Sequence, residues 1–419
     1  MLSRAELLDI YRRHLVDDVL AFWLASSPDD ERGGVFTCWS NDGARLLSHD
    51  KYTWSQGRWA WLMARVAAAG RRGLIDVDAD RCLERAVMTA EHIRRHALLG
   101  EGKTAYATDR MGTPIEAAPG AGFHTSIFAD LFAALGFAGC AAETKDATWA
   151  TLADDMLEAA RARIAAGPVP TEPYPIRSGF RAFSLPMILV GTGAQVHRAT
   201  ASARSAATVR AAAERMRDVF LRGDDMSELV PVDPADADTL LARHRTPGHV
   251  LEACWFLAEA GEVLRVSEDG AFDLPLSASA DLADIAMRSF ALGWDDEQGG
   301  LLRYVDREGG MPRGRRTDDR YEALVVQTWD TKLWWPHSEA LYALLLLGLR
   351  TGRADLLEAH DRLHAYVMRT FPGGPGREWI QIRDRAGRPL EATVALPVKD
   401  PFHIARALLM LVELLAEDA

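Results

Sequence analysis

Cysteine is scarce in this chain: Cys38, Cys82, Cys140 and Cys254 are the only four in 419 residues, widely spaced and with no CxxC pair. That argues against a disulfide framework and against a cysteine-built zinc site, and the simplest reading is a reduced, cytoplasmic protein. Uncharged apolar runs are short, none reaching the roughly 18 residues that a membrane-spanning helix needs. The opening residues Met1-Leu2-Ser3-Arg4-Ala5-Glu6 carry charge early and lack the apolar core and small-residue cleavage site of a signal peptide. Positive charge is outnumbered, with 48 Lys and Arg against 60 Asp and Glu for a formal net charge of -12, and no long run of lysine or arginine interrupts the balance. Neither nucleic acid nor membrane is therefore an expected partner. There is no GxxxxGK[ST] loop to cradle a nucleotide and no HExxH pair to hold a metal.

What the chain has in abundance is helical periodicity. Segments 16–24, 81–98, 148–164, 208–221, 282–292 and 354–368 are amphipathic, with arginines and acids along one face, as half-solvated outer helices are. Between them lie more apolar segments that start near Ser55, His124, Ser184, His249, Pro336 and His403 and read as buried inner helices. Starts that recur at roughly 60 to 90 residues are the mark of stacked helix pairs. An open solenoid tends to show a consensus repeat and caps, which are not visible here, so the expected architecture is all-α: a closed (α/α)6 barrel forming a single domain over residues 1–419. Three shorter stretches, 33–43, 299–309 and 378–387, each read as a strand followed by a polar, glycine-containing turn, and are expected to be β-hairpins laid over one end of the barrel. Stretches 167–175 and 230–234, rich in proline and glycine, read as loops.

Three inner helices open with a histidine at their polar mouth: His249, His337 and His403. His249 and Glu252, at i and i+3, share a helix face, so the carboxylate could orient the imidazole or bind a substrate hydroxyl; both could equally satisfy backbone amides at a helix start. A pair of metal ligands is a third option, and with no further ligand pattern no metal is expected. His403 and Arg406 repeat the spacing on the last inner helix, and two imidazoles across a bound substrate can remove and return a proton on different faces. Arg58 lies inside an apolar helix, where a buried guanidinium must face either a pocket or an acidic partner. The stretch from Trp329 to Glu339 gathers Trp334, Trp335 and Glu339 beside Lys332 and His337, as sugar sites do when rings stack on pyranose CH faces. Trp255 and Trp379 join this set of candidate sugar-binding residues. His360 and His364 are assigned to a solvated face of an outer helix and are not site candidates.

Five stretches together resemble the N-acylglucosamine 2-epimerase family: Gly33-Gly34-Val35-Phe36-Thr37-Cys38; Lys51-Tyr52-Thr53-Trp54-Ser55-Gln56-Gly57-Arg58; Pro247-Gly248-His249-Val250-Leu251-Glu252-Ala253-Cys254-Trp255-Phe256-Leu257; Lys332-Leu333-Trp334-Trp335-Pro336-His337-Ser338-Glu339-Ala340; and Phe402-His403-Ile404-Ala405-Arg406. The resemblance implies an (α/α)6 barrel and reversible proton transfer at C2 of an open-chain aldose, with no redox cofactor. It implies His249 and His403 as the acid/base pair, Arg58 as the holder of the reacting oxygens, and Glu252 and Arg406 as site-lining residues. Two departures matter. Where many isomerases and disaccharide epimerases of the family carry a histidine in the third inner helix, this chain reads Phe183-Ser184-Leu185-Pro186-Met187, as the N-acyl epimerases do. Pro401 stands where mammalian-type members have a cysteine before the final Phe-His, so a role tied to that thiol does not transfer.

The expected substrate pair is N-acetyl-D-glucosamine and N-acetyl-D-mannosamine. A D-mannose 2-epimerase or mannose-fructose type isomerase would use the same residues, since a proton returned to C1 gives a ketose. An (α/α)6 glycoside hydrolase would instead rely on two carboxylates, Glu252 and Glu339. A nucleotide effector of the kind some family members use, and a homodimer, stay open.

Overall fold

The computed structural model describes residues 2–267 and 274–417. Its inner helices are Thr53–Arg71, Ile127–Thr144, Ser184–Thr200, Pro247–Ser267, Trp334–Thr351 and His403–Ala416. The first, second, fifth and sixth are buried over most of their length. Outer helices alternate with them: Arg4–Arg13, continued by a π-helical turn into Ala21–Ser26, then Ala79–His92, Ala147–Ala166, Ala203–Arg215, Ser279–Gly293 and Ala354–Thr370. Each inner helix packs on the next, and the first outer helix packs on the last inner one, which closes the ring. Arg4 pins that closure by donating to the carbonyls of Leu414 (2.9 Å) and Leu415 (3.0 Å) at the end of the sixth inner helix.

Close helix crossings rest on small residues. A Cβ on Gly57 would stand 2.0 Å from the carbonyl oxygen of Phe132, so the first and second inner helices touch backbone to backbone there. The second inner helix has the length and apolarity of a membrane span, yet most of it is buried inside the barrel and it carries the buried Asp130, bound to Thr104, His124 and Arg163. All four cysteines are buried and unpaired.

The expected hairpins are reduced in form, although in the third an antiparallel bridge, Arg383 with Pro389, still closes the turn. Stretch 33–43 makes only single bridges, Val35 with Pro28 and Trp39 with Leu46. In the second, Val305–Asp306 pairs with the distant His244–Arg245, and in the third, Ile382–Arg383 pairs with Lys332–Leu333. The second and third stretches thus pair with the segments leading into the fourth and fifth inner helices and anchor the N-termini of those helices. True hairpins occur elsewhere, at 98–104, 107–115 and 221–226, in connections that the periodicity did not single out. Residues 230–234 are not wholly a loop either, because Leu229–Pro231 pairs with Phe180–Ala182.

A repeat also links the two halves of the ring. Asp29-Asp30-Glu31-Arg32-Gly33-Gly34 and Asp295-Asp296-Glu297-Gln298-Gly299-Gly300 build matching clamps. Buried Lys51 donates to Asp29 (2.9 Å) and Gly33 O, and buried Lys332 to Asp295 (3.0 Å) and Gly300 O. Arg110 spans Asp29 and Glu31 just as Arg385 spans Asp295 and Glu297. Five residues beyond each lysine, a side chain accepts the backbone N–H that follows the glycine pair: Gln56 takes Val35 and His337 takes Leu301.

Candidate active site

The N-termini of the inner helices converge on a cavity of about 200 Å³ lined by Arg58, His249, Glu252, Trp334, Trp335 and His403, among others. His249 is set by the strand His244–Arg245 and by Pro247, whose fixed φ suits the first helical position. Next to it, Gly248 leaves room for the Trp335 indole, since a Cβ there would lie 2.6 Å from the ring. His403 is set by Asp400, which accepts the His403 backbone N–H at 2.9 Å. The Trp335 ring then lies 4.9 Å from the His249 ring and 6.0 Å from the His403 ring, so one indole is shared by both imidazoles.

Each imidazole has its Nδ1 on a buried carboxylate. His249 Nδ1 is 2.9 Å from Glu228 Oε2, and His403 Nδ1 is 2.7 Å from Glu339 Oε1. Against a carboxylate, Nδ1 carries the hydrogen, which leaves Nε2 as the basic nitrogen. Among the described residues neither Nε2 has a partner, and both histidines line the cavity. Burial alone would lower the pKa of His249, but the charge and hydrogen bond of Glu228 outweigh it and hold the value above the ordinary histidine range. In return, the Glu228 carboxyl, which burial would raise, is held low by His249.

Glu252 does not orient His249, as the i, i+3 spacing suggested. It turns to Arg406 Nη2 at 2.6 Å, and Glu339 meets the same nitrogen at 2.6 Å. Glu252, Glu339 and His403 are close enough together to hold a metal ion, but the guanidinium between them already supplies the positive charge. Burial would raise the Glu339 carboxyl, yet Arg406 and His403 pull it well below the usual range. Glu339, Trp255 and Arg406 thus lie behind the cavity wall rather than on it. Trp255 Nε1 donates to Glu339 (2.8 Å), and its ring stacks under the Arg406 guanidinium at 4.8 Å.

Arg58 faces the cavity. Its guanidinium is boxed by Phe132 (4.0 Å), Phe402 (5.0 Å) and Trp54 (5.2 Å), and the nearest carboxylate oxygen, on Asp400, is 3.8 Å away. It makes no hydrogen bond among the described residues, and its Nε is buried without a partner. Burial draws its pKa down to about 10, which still leaves it charged. Trp334 lines the cavity and donates to Asp400 at 3.0 Å.

Two further assignments made from the sequence fail. Trp379 is fully buried away from the cavity, stacked on Phe371 with its Nε1 on His14. His360 and His364 are not solvated. Both are buried, and both meet the Tyr11 hydroxyl, at 3.0 and 2.8 Å. His337 is fully buried, holds the Leu301 amide and the Leu333 carbonyl, and does not reach the cavity. Sequence reasoning also missed Glu228, Asp400 and Arg303. Asp400 carried a readable signal, an acid three residues before the first helical amide. Glu228 had none.

The N-acylglucosamine 2-epimerase (GlcNAc 2-epimerase) family model matches residues 34–407. The N-acylglucosamine 2-epimerase of Bos taurus is 29% identical over 407 residues, covering 96% of this chain and 89% of its own. Among solved structures, the cellobiose 2-epimerase of Spirochaeta thermophila superposes with a TM-score of 0.76 at 17% identity, covering 98% of this chain and 97% of its own. A D-mannose isomerase does so with a TM-score of 0.72 at 15% identity, covering 98% of each chain. At those identities the structures establish a shared fold, the helical barrel. With a family model that spans the two histidines, Arg58 and the barrel between them, this chain belongs to the N-acylglucosamine 2-epimerase family.

Proposed function

We propose that this protein interconverts N-acetyl-D-glucosamine and N-acetyl-D-mannosamine by moving the proton on C2 of the open-chain sugar. The observation that carries the reading is a pair of imidazoles on one cavity, each with Nδ1 on a buried carboxylate and, among the described residues, with Nε2 unpartnered, beside a guanidinium that makes no hydrogen bond to any described residue. The C1 aldehyde acidifies the C2 hydrogen, because the electron pair left behind delocalises onto O1. One Nε2 takes that proton while Arg58 donates to O1 as its charge grows. The other imidazole, protonated, returns a proton to the opposite face, and C2 inverts. Glu228 and Glu339 fix the tautomers and stabilise whichever imidazolium forms. The carbon keeps its oxidation state throughout, so the chemistry calls for no redox cofactor.

The acylated substrate is supported by the name of the Bos taurus relative and by Ser184, which lines the cavity in the helix where many family isomerases carry a histidine. A mannose epimerase or isomerase would share every step up to the fate of the proton, and the D-mannose isomerase fold match keeps that reading in view. A glycoside hydrolase needs one carboxyl that stays protonated near neutral pH. Glu252 and Glu339 share one Arg406 nitrogen, and Glu339 is held ionised, which speaks against it.

The test is incubation of the protein with each aldose in deuterated water. The expected result is deuterium at C2 of N-acetylglucosamine together with appearance of its epimer. A ketose product, or exchange confined to unacylated hexoses, would move the assignment to the isomerase reading. No exchange with any aldose would remove both.

A further inference from the structure

One buried guanidinium on the cavity is left unused by the proton transfer. Arg303 is 4% exposed and lines the cavity, and among the described residues no carboxylate lies within ion-pair distance of it. Its Nη1 and Nη2 donate to neutral hydroxyls, Thr328 Oγ1 at 3.1 Å and Tyr174 Oη at 3.2 Å, and its guanidinium lies 4.9 Å from the centre of the Tyr304 ring. A cation buried with only neutral partners leaves donor capacity unmet, and a ligand that brings a strong acceptor relieves it.

The surroundings narrow what that acceptor is. Ala182, Leu229, Leu241 and Tyr304 all line the cavity and belong to a small apolar cluster separate from the main core. Arg303 lies on the His249 side, close enough for its charge to act on that imidazole. Arg58, against Asp400, serves the other side. The matching clamps show that the position is distinctive: the third residue after the glycine pair is Thr37 in the first clamp and Arg303 in the second. An apolar wall with one charged donor, next to the histidine that works at C2, is complementary to an acetamido group on C2. Such a group offers a methyl to the wall and a carbonyl oxygen to the guanidinium. A C2 hydroxyl offers no methyl and a weaker acceptor.

We infer that Arg303 is a specificity-determining residue that binds the N-acyl carbonyl oxygen of the substrate, with Leu229 and Leu241 receiving the acyl methyl. The inference rests on the epimerase reading above. It is tested with open-chain alditols, which lack the C1 aldehyde and cannot react: N-acetylglucosaminitol and sorbitol, titrated by calorimetry into the full-length protein and into Arg303→Met. Loss of a charged hydrogen bond predicts that N-acetylglucosaminitol affinity falls roughly ten- to a hundredfold in the variant while sorbitol affinity holds. Equal loss for both alditols, or no loss for either, overturns the inference. Arg303→Lys keeps the charge but not the two-pronged donor, and decides the matter if the methionine variant does not fold: a selective, smaller loss for the acylated alditol is expected, and an unselective one overturns the inference. Failure of the epimerase reading shows separately, as absence of C2 exchange by the unaltered protein with N-acetylhexosamines.

Discussion

His249 and His403 each turn Nδ1 toward a buried carboxylate, but what stands behind that carboxylate differs. Among the described residues Glu228 has one charged partner, His249 itself, whereas Glu339 shares its oxygen between His403 and Arg406, and Arg406 reaches on to Glu252. The His249 side chain is 27% exposed and the His403 side chain 7%. On the His249 side the full charge of the carboxylate is available to stabilise an imidazolium; on the His403 side Arg406 has already compensated most of it. The inequality sets His249 apart as the imidazole whose charged form is favoured by a carboxylate with no other ion-pair partner among the described residues.

The largest expected effect tests whether both sides are needed. His249→Asn and His403→Asn should each reduce turnover by about 10² to 10⁴, the usual worth of a positioned acid or base. Each variant should still exchange the C2 hydrogen of one epimer only, the one facing the surviving imidazole, as followed by proton NMR in deuterated water. If one variant epimerises normally, the two-histidine comparison is broken.

Next in size is the network behind His403. Arg406→Met leaves Glu252 and Glu339 buried together without their cation, and breaking such a pair costs about 3–5 kcal/mol of stability. Glu228→Gln breaks a single contact, with a cost of about 1–3 kcal/mol. Denaturant unfolding of the two variants should rank them in that order, and the reverse ranking would show that Arg406 is not what holds the His403 side.

Smaller still is a shift in pH dependence confined to the His249 side. With its pKa raised in the folded protein, His249 contributes stability that is fully present below the unfolded value of about 6.5 and is lost as pH rises through the folded value. Glu228→Gln should remove that contribution and move the His249 limb of the pH–rate profile to lower pH. Arg303→Met should move the same limb to higher pH, because the Arg303 charge opposes protonation of His249. A limb that stays fixed in both variants would mean that another group sets it.

The inner helices were legible because burial writes itself into composition. Starts expected near residues 55, 124, 184, 249, 336 and 403 fall at Thr53, Ile127, Ser184, Pro247, Trp334 and His403. His249, His403 and Arg58 were legible as polar residues in apolar helices. The partners of those residues were not. Glu228 comes from a turn before a three-residue strand, 21 positions from its histidine, and only the pairing of Leu229–Pro231 with Phe180–Ala182 brings it there. His360 and His364 were misplaced because an outer helix also has an inward face, and at i, i+4 both lie on it. Trp379 was misplaced because an indole among polar neighbours looks the same in sequence whether it stacks on a sugar or on Phe371.

The smallest effect concerns the third histidine at a helix mouth, and it sharpens what sets the other two apart. His337 sits in the same local sequence position, but its Nδ1 meets a backbone carbonyl (Leu333, 2.6 Å) rather than a carboxylate, and its Nε2 accepts the Leu301 amide at 2.9 Å. Burial pushes its pKa down to about 3, so it stays neutral and has no proton to exchange at working pH. In the matching clamp Gln56 does the same work, accepting the Val35 N–H through Oε1 and donating to the Val35 carbonyl through Nε2. His337→Gln should therefore leave epimerisation and its pH profile unchanged. It should cost only the ring contacts with Tyr366 and Phe371, about 0.5–1.5 kcal/mol each, seen as a modest fall in Tm. A large loss of activity with the fold intact would mean that a helix-mouth histidine can act here without a carboxylate behind it, and that a carboxylate on Nδ1 is not what separates the two cavity imidazoles from the third.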